Sequence, residues 1–229
     1  VHADRAGQIR ERPEAGHFAS MHVSAQLQPE TERDRHNPGF RHFRTPANTG
    51  LATQDAALIA LIEALLDQWP APIPFEQAVA IAAAKSTQTG AALEHATLLH
   101  LITLMNCGAL RYRREPVGYG NDSAKPRLIP GARELIIAAG EKTLQVGHYN
   151  LWHQWVNLSA DPATRYVAAL LDGTLTQAEV RTQLRDALTS GRLAHPDGLA
   201  LKGARNVDPV AQELLVRVLG ALRIGGILL

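Results

Sequence analysis

The feature that most constrains how this chain folds is a change of hydrophobic period near residue 53. Residues 22–27 (His-Val-Ser-Ala-Gln-Leu) alternate with the period of two that is typical of a half-buried strand, and residues 40–45 suit a second strand. Beyond Thr53 the apolar residues recur every three or four positions, as on one face of a helix: Leu58, Leu61, Ile62, Leu65, Leu66 and Trp69. The pattern therefore predicts a β-hairpin followed by helices.

Helix-start and helix-stop signals extend this pattern through the first half of the chain. Thr53 is the expected cap of the first helix and Pro70 its end, while Pro74 opens a second helix. A third helix is expected over residues 90–106 and a strand over residues 110–114. Three helices followed by a strand and a loop is the order of a winged helix.

Residues 115–127 combine glycine, proline, asparagine and aspartate, which is the composition of an exposed linker or wing loop. We place the domain boundary in this segment. Residues 21–126 are then expected to form one domain, with a β-hairpin and three helices, and residues 127–229 a second.

The clearest helix signals lie in the second half of the chain. Asp161 followed by Pro162 marks the start of a helix. Thr176 and Glu179 fit the capping box, in which each side chain accepts a hydrogen bond from an otherwise unpaired backbone N–H. Residues 149–158 are rich in aromatic and branched side chains and are predicted to be a strand.

The composition excludes several classes of protein. The formal charge of +1 provides no overall field to attract nucleic acid or anionic lipid. The single cysteine, Cys107, excludes an intrachain disulfide and suits a reducing cytoplasm. No apolar run reaches the length of a membrane span, and no signal pattern is present, so a soluble cytoplasmic protein is expected. Because the sequence starts at Val1 without a methionine, we interpret it as part of a longer chain.

The residue patterns of common reaction centres are not found in the sequence. A glycine-rich cofactor loop needs three spaced glycines before a helix, and residues 118–120 (Gly-Tyr-Gly) lack the third. His95 and His100 are five apart and diverge on a helix, and His148 and His153 diverge on a strand, so neither pair suits a metal. No catalytic, cofactor-binding or metal-binding residue is therefore predicted.

The third helix argues against DNA recognition. A DNA-reading helix presents a basic face to the major groove. Residues 90–106 contain no lysine or arginine, and they are apolar nearly all round, which predicts a buried helix. On the next strand Leu110 and Tyr112 are expected to point inward, while Arg111 and Arg113 face water.

Two groups of side chains are candidates for an interaction surface. Arginines cluster on the predicted strand, and aromatic residues, which carry much of the energy of protein interfaces, cluster near residue 152. A solvated face for the arginines and ordinary packing for the aromatic residues remain open alternatives. The candidate residues are Arg111, Arg113, Arg114, Tyr149, Trp152 and Trp155.

Five stretches resemble bacterial methyltransferases that carry a methyltransferase regulatory domain, a group that includes protein-lysine methyltransferases. They are residues 1–4 (Val-His-Ala-Asp), 22–24 (His-Val-Ser), 51–75 with its Trp-Pro and Pro-Phe pairs, 150–156, and 170–174 (Leu-Leu-Asp-Gly-Thr). The chain departs from the family at Trp152, Gln154 and Trp155, where the family has arginine, glutamate and proline. The resemblance spans nearly the whole chain and rests on caps and core positions.

The resemblance implies an α+β, mostly helical fold of two winged-helix-like modules with small β-sheets, with residues 1–20 as the end of an upstream domain. It also implies that the S-adenosylmethionine site lies in a separate N-terminal domain, so that this chain has no cofactor of its own. The expected function is a non-catalytic C-terminal region for regulation, substrate recognition or dimerisation. Its expected partners are the methyltransferase domain in cis, a protein substrate and a second copy, but neither nucleic acid nor membrane. The alternative is a DNA-binding winged-helix transcriptional regulator.

Overall fold

A computed structural model describes residues 15–30, 39–116, 124–140, 143–196, 198, 201–204 and 206–229. Its contacts divide the chain into two compact units, residues 1–118 and 119–229. This division falls inside the predicted linker over residues 115–127. The assignment of three domains, with residues 1–20 as a separate piece, stays a prediction, because most of that segment lies outside the described residues.

Unit 1 combines small antiparallel sheets with helices. One sheet has the strand order β5-β1-β6 and the other the order β2-β3-β4. In chain order the elements are α1 (Ala15–Phe18), β1 (His22–Ala25), β2 (Gln28–Pro29), β3 (Arg41–Arg44), β4 (Gly50–Thr53), α2 (Ala56–Gln68), β5 (Ile73–Pro74), α3 (Phe75–Ala83), α4 (Gly90–Asn106) and β6 (Leu110–Arg113).

The first helix of the predicted three starts at a different cap from the one expected. Asp55 caps α2, since its Oδ1 accepts hydrogen bonds from the N–H groups of Ala57 and Leu58 at 2.9 and 3.0 Å. Thr53 instead accepts a bond from the Asp55 N–H through its Oγ1. Carboxylate oxygens are strong acceptors at a helix start, and β4 extends through Thr53, so the cap moves two residues along the chain.

The core of unit 1 lies between α2, α4 and the strands. Leu61 and Leu65 from α2 and Leu101 and Leu104 from α4 are fully buried in one cluster with Val23 of the central strand. Helix α4 is buried on one side only, which corrects the prediction of a helix buried all round. Leu99 on its other side is 49% exposed.

The described part of unit 2 contains four helices and a two-stranded hairpin. In chain order its elements are α5 (Ala132–Ala138), β7 (Gln145–Tyr149), β8 (Trp155–Ser159), α6 (Pro162–Leu170), α7 (Gln177–Ser190) and α8 (Asp208–Ile224). The predicted single strand over residues 149–158 is therefore the end of β7, a loop and most of β8. The physical reason is that a buried asparagine, Asn150, organises a turn inside this aromatic stretch.

The helix starts predicted in unit 2 are confirmed. Asp161 caps α6 by accepting from the N–H groups of Ala163 and Thr164. Thr176 and Glu179 form the reciprocal capping box of α7, with the Thr176 N–H donating to Glu179 Oε2 at 2.7 Å. These helices and α8 bury a second core of their own.

The α+β, mostly helical class is confirmed. The winged-helix identity of the two modules stays a prediction. Within the described residues, no helix has both the length and the apolar content to cross a membrane.

Candidate interaction surface

The structure distributes the six predicted surface residues over both units, and each group is described by itself. Arg111 and Arg113 lie on β6, and Arg114 follows it in unit 1. Tyr149 and Trp155 lie at facing ends of β7 and β8 in unit 2, and Trp152 lies in the loop that joins these strands.

Arg111 does not simply face water as predicted. Its Nη1 donates to the carbonyl oxygens of Gly108 and Leu110, both at 2.9 Å, and burial lowers the pKa of its guanidinium. Tyr112, expected to point inward, is 52% exposed and meets the Phe18 ring edge-on, with centroids 6.2 Å apart. On this edge strand Leu110 is buried in the core as predicted, whereas Tyr112, two residues later, is not.

A polar group that the sequence did not predict lies on the same face as these arginines. Strand pairing places His22 opposite Arg113 and Ser24 opposite Arg111, so the four side chains share one face of the sheet. Ser24 is fully buried, and neither its Oγ nor His22 Nδ1 has a hydrogen-bond partner. Leaving such atoms unpaired costs about 1–3 kcal/mol each. Period-two alternation marked β1, but only pairing with β6 reveals this face.

The loop between β7 and β8 is built around Asn150. Its Oδ1 accepts from the N–H groups of Trp152 and Gln154 at 2.9 and 3.0 Å, and its carbonyl accepts from the His153 N–H. His153 has a φ of 55°, a left-handed conformation that costs a non-glycine residue about 1 kcal/mol or more. The Leu151 N–H donates to the Gly226 carbonyl, which ties this loop to the end of α8.

The aromatic pair at the base of this loop is exposed rather than packed inside. Tyr149 and Trp155 are 58% and 60% exposed, and their rings meet edge-on with centroids 5.3 Å apart. The Trp155 ring lies against Gly147, where an added Cβ atom would overlap it. The pair is therefore held in place from below while its other side stays open to solvent. Trp152 differs from this pair, since it is half-buried.

Two of the four histidines considered as metal ligands have other partners for their side chains. His100 Nε2 lies 3.2 Å from Asp55 Oδ2, and His148 Nδ1 lies 2.6 Å from the Tyr149 carbonyl oxygen. Among the described residues, no three His, Cys, Asp or Glu side chains converge as a metal site would require.

Described residues of unit 2 also line two shallow clefts. One, of about 260 Å³, is lined by Arg127, Arg133, Glu134 and Asp172 among others, and Arg133 donates from Nη2 to the Ala169 carbonyl. Hydrogen bonds from Thr174 lower the pKa of Asp172. The other cleft, of about 220 Å³, lies between α7 and α8. The carboxylates and guanidinium groups of the first cleft offset one another, so it favours no single ligand charge.

Two solved structures of PKMT2 from Rickettsia typhi share the fold of this chain, and one of them is a complex with AdoHcy. Their TM-scores are 0.70 and 0.69, with 18% sequence identity in both comparisons. The match covers 96% of this chain and 44% of that chain, so the present chain spans less than half of the length of these proteins. No protein-family model and no curated protein matches the sequence.

These comparisons overturn three expectations. The chain was predicted to be a non-catalytic region, not an enzyme, and without a cofactor of its own. Instead, nearly all of it matches a protein lysine methyltransferase that was solved with AdoHcy. Those predictions relied on a missing local motif, which does not exclude a site that is assembled from residues far apart in sequence. A methyltransferase-like fold is what the comparisons support.

Proposed function

We propose that this chain functions in the S-adenosylmethionine-dependent methylation of protein lysine. The observation that carries the proposal is the shared fold with PKMT2 over 96% of the chain. Because the chain spans 44% of that protein, its activity, cofactor and substrate are all parts of the proposal. AdoHcy is what remains of S-adenosylmethionine after methyl transfer, so the complex named for PKMT2 fits this chemistry.

We assign no described residue to the cofactor. The two described clefts measure about 260 and 220 Å³, whereas sites for small organic ligands usually measure about 300–1,000 Å³. Neither cleft fits a whole nucleoside-linked amino acid, and we therefore derive no catalytic step from their side chains.

We propose the open aromatic pair, Tyr149 and Trp155, as a protein-binding surface. Aromatic side chains dominate interface energetics, and this pair already occupies a fixed geometry, so binding a partner would order little further. Arg111 donates a hydrogen bond to the Gly108 carbonyl and is half-buried. Arg114 is exposed and is the most accessible of the arginine candidates. The partner fitting the proposed function is a protein substrate, and a second copy of the chain is the competing partner.

DNA binding finds no support in the described structure. Helix α4, the candidate reading helix, has exposed Glu94 and Leu99 but no lysine or arginine along its length. Lysine and arginine supply most side-chain contacts to the phosphates of a groove.

Methyl transfer is the direct test of the proposed function. The protein, expressed in its full encoded length, would be incubated with radiolabelled S-adenosylmethionine and lysine-containing proteins, and AdoHcy binding would be measured by calorimetry. We expect label on lysine and saturable AdoHcy binding. The absence of both would contradict the proposal.

A matched pair of variants connects this assay to the aromatic surface. Trp155→Ala removes an exposed ring from the proposed surface, and Leu144→Ala removes an equally exposed apolar side chain elsewhere in unit 2. We expect Trp155→Ala to raise the KM for the protein substrate while leaving AdoHcy affinity unchanged, and Leu144→Ala to change neither. Equal effects of the two substitutions would remove the aromatic pair from the proposal.

A further inference from the structure

The β7–β8 hairpin has an open outer edge whose orientation follows from its hydrogen bonds. The Ala160 N–H donates to the Leu144 carbonyl at 2.8 Å, and the Asn150 N–H donates to the Gln154 carbonyl at 2.9 Å. The strand register lies between these two hydrogen-bonded pairs. In an antiparallel ladder hydrogen-bonded pairs alternate with pairs that are not hydrogen-bonded, and in the second kind the backbone N–H and carbonyl groups point away from the partner strand.

On β8 the outward groups belong to Trp155, Asn157 and Ser159. All three residues are exposed, and no described group forms a hydrogen bond with the outward N–H or carbonyl of Trp155 or Asn157. A strand edge with unpaired donors and acceptors is a template for another extended chain.

The side chains of Trp155, Asn157 and Ser159 lie next to this edge. Their side chains share the face on which the Trp155 ring crosses toward Gly147 on β7. A strand added beside β8 would lie about 4.8 Å from it, so only a long side chain on that strand reaches the open face of the ring. Lysine and arginine have this length, and an aromatic face attracts their positive charge.

The far end of the edge also favours a cation. Asp161 follows β8 and holds a carboxylate that accepts from Ser159 Oγ and Thr164 Oγ1, each at 2.6 Å. Burial alone would raise the pKa of Asp161, but the hydrogen bonds from Ser159, Thr164 and the start of α6 lower it, so the group is ionised at neutral pH. Aromatic faces at one end and a carboxylate at the other make this edge complementary to a basic segment.

We propose that an extended, lysine-bearing polypeptide segment adds to the outer edge of β8 as a third strand, with a lysine side chain over the Tyr149–Trp155 pair. Backbone pairing with Trp155 and Asn157 supplies sequence-independent binding. The aromatic pair supplies the preference for a cation. That this segment belongs to a methylation substrate rests on the proposed function, whereas the strand addition itself does not.

The test uses synthetic peptides and calorimetric titration of the protein. The probe is a threonine- and serine-rich peptide of about six residues, the usual length of a strand, with one central lysine. Its control carries norleucine, which has the length of lysine without the charge. We expect the lysine peptide to bind and the norleucine peptide to bind about five-fold more weakly.

A pair of variants at one position tests the backbone contact. Asn157→Pro removes the outward N–H and places a ring on the edge, while the inward bonds of β8 do not involve this N–H. Asn157→Ala keeps the N–H and serves as the matched control. We expect Asn157→Pro to abolish binding and Asn157→Ala to leave it unchanged, with amide exchange of Val146 and Leu158 verifying that the hairpin still forms.

Several results would overturn the inference. These are no binding by either peptide, equal binding of both, or unchanged binding in Asn157→Pro. A concentration-dependent dimer that Asn157→Pro dissolves would assign the edge to a second copy instead. Methyl transfer that is indifferent to Asn157→Pro would contradict the assignment of the bound segment to a methylation substrate and spare the proposed function. Peptide binding without any methyl transfer would contradict the proposed function and spare the strand addition.

Discussion

Helices α6 and α7 of unit 2 begin differently from helix α4 of unit 1, although α2 of unit 1 is capped by Asp55 and α8 of unit 2 has no side-chain cap. In unit 2, the starts of α6 and α7 carry side-chain caps from Asp161 and Thr176. In unit 1, Thr89 is the N-cap residue of α4, but its side chain makes no cap hydrogen bond. Local sequence therefore specifies α6 and α7, whereas α4 depends more on packing against the rest of unit 1.

Buried polar atoms show a related difference. Among the described residues of unit 1, four polar side chains contain a buried atom without a hydrogen-bond partner, and these are His22, Ser24, His42 and His100. In unit 2, the described atoms of this kind are the Nε atoms of Arg133 and Arg181, whose guanidinium groups bond elsewhere.

The largest expected effects test whether the two cores are independent. Leu101→Ala in unit 1 and Leu184→Ala in unit 2 each remove a fully buried side chain from a separate core cluster. Each change should lower the free energy of unfolding by about 2–5 kcal/mol. Hydrogen exchange should show faster opening only in the unit that carries the change. Leu99→Ala, on the exposed side of α4, is the control, and equal loosening of both units by Leu101→Ala would end the comparison.

The loop of the aromatic hairpin should show the next largest effect. Asn150→Ala leaves the N–H groups of Trp152 and Gln154 without their acceptor in a buried setting. We expect a loss of about 1–3 kcal/mol in the free energy of unfolding, measured with a chemical denaturant. His153→Gly is the companion change, and it should stabilise the loop because glycine adopts the left-handed conformation freely. Destabilisation by both changes would contradict this account of the loop.

The difference in capping predicts that loss of the threonine side chain costs about 1 kcal/mol more at the start of α7 than at the start of α4. Thr176→Ala removes a cap bond from α7 and should destabilise unit 2 by about 1 kcal/mol. Thr89→Ala removes no such bond from α4 and should change the free energy of unfolding by less than about 0.5 kcal/mol. Thermal unfolding of the two variants measures both values. Equal losses would show that local capping does not separate α7 from α4.

The smallest expected effect depends on pH. The folded pKa of Asp161 is lower than its ordinary value, so its carboxylate contributes stability above about pH 4, and this contribution is lost as the pH falls through the folded pKa. Its charge at the start of α6 contributes about 0.3–1 kcal/mol. Asp161→Asn should therefore reduce the difference in the free energy of unfolding between pH 7 and pH 3. An unchanged difference would contradict this role.

Asp55 provides the matched case in unit 1. Burial alone would raise its pKa, but the Leu58 N–H and nearby His100 lower it. Because the Asp55 side chain is half exposed, we expect Asp55→Asn to reduce the acid sensitivity less than Asp161→Asn does.

Much of the secondary structure follows from local sequence. Asp161 with Pro162, and Thr176 with Glu179, predicted two helix starts correctly because a cap is a contact between residues two or three apart. The helical spacing of apolar residues predicted α2 for the same reason, although its cap is Asp55 and not Thr53. The mostly helical α+β class follows from these patterns.

The surface depends on contacts that no local pattern contains. Tyr112 is exposed although Leu110, on the same face of the edge strand β6, is buried, and Ser24 shares a face with Arg111 through pairing between distant strands. The open edge beside Trp155 exists because Asn150 folds an aromatic stretch into a hairpin whose register turns every second backbone group outward. The sequence shows that aromatic residues are concentrated in this region. Which of them face the solvent depends on strand pairing and on the buried side chain of Asn150. Hydrogen bonds between residues close in sequence can be predicted from the sequence alone. Burial cannot, because it depends on which distant segments pack together in the folded chain.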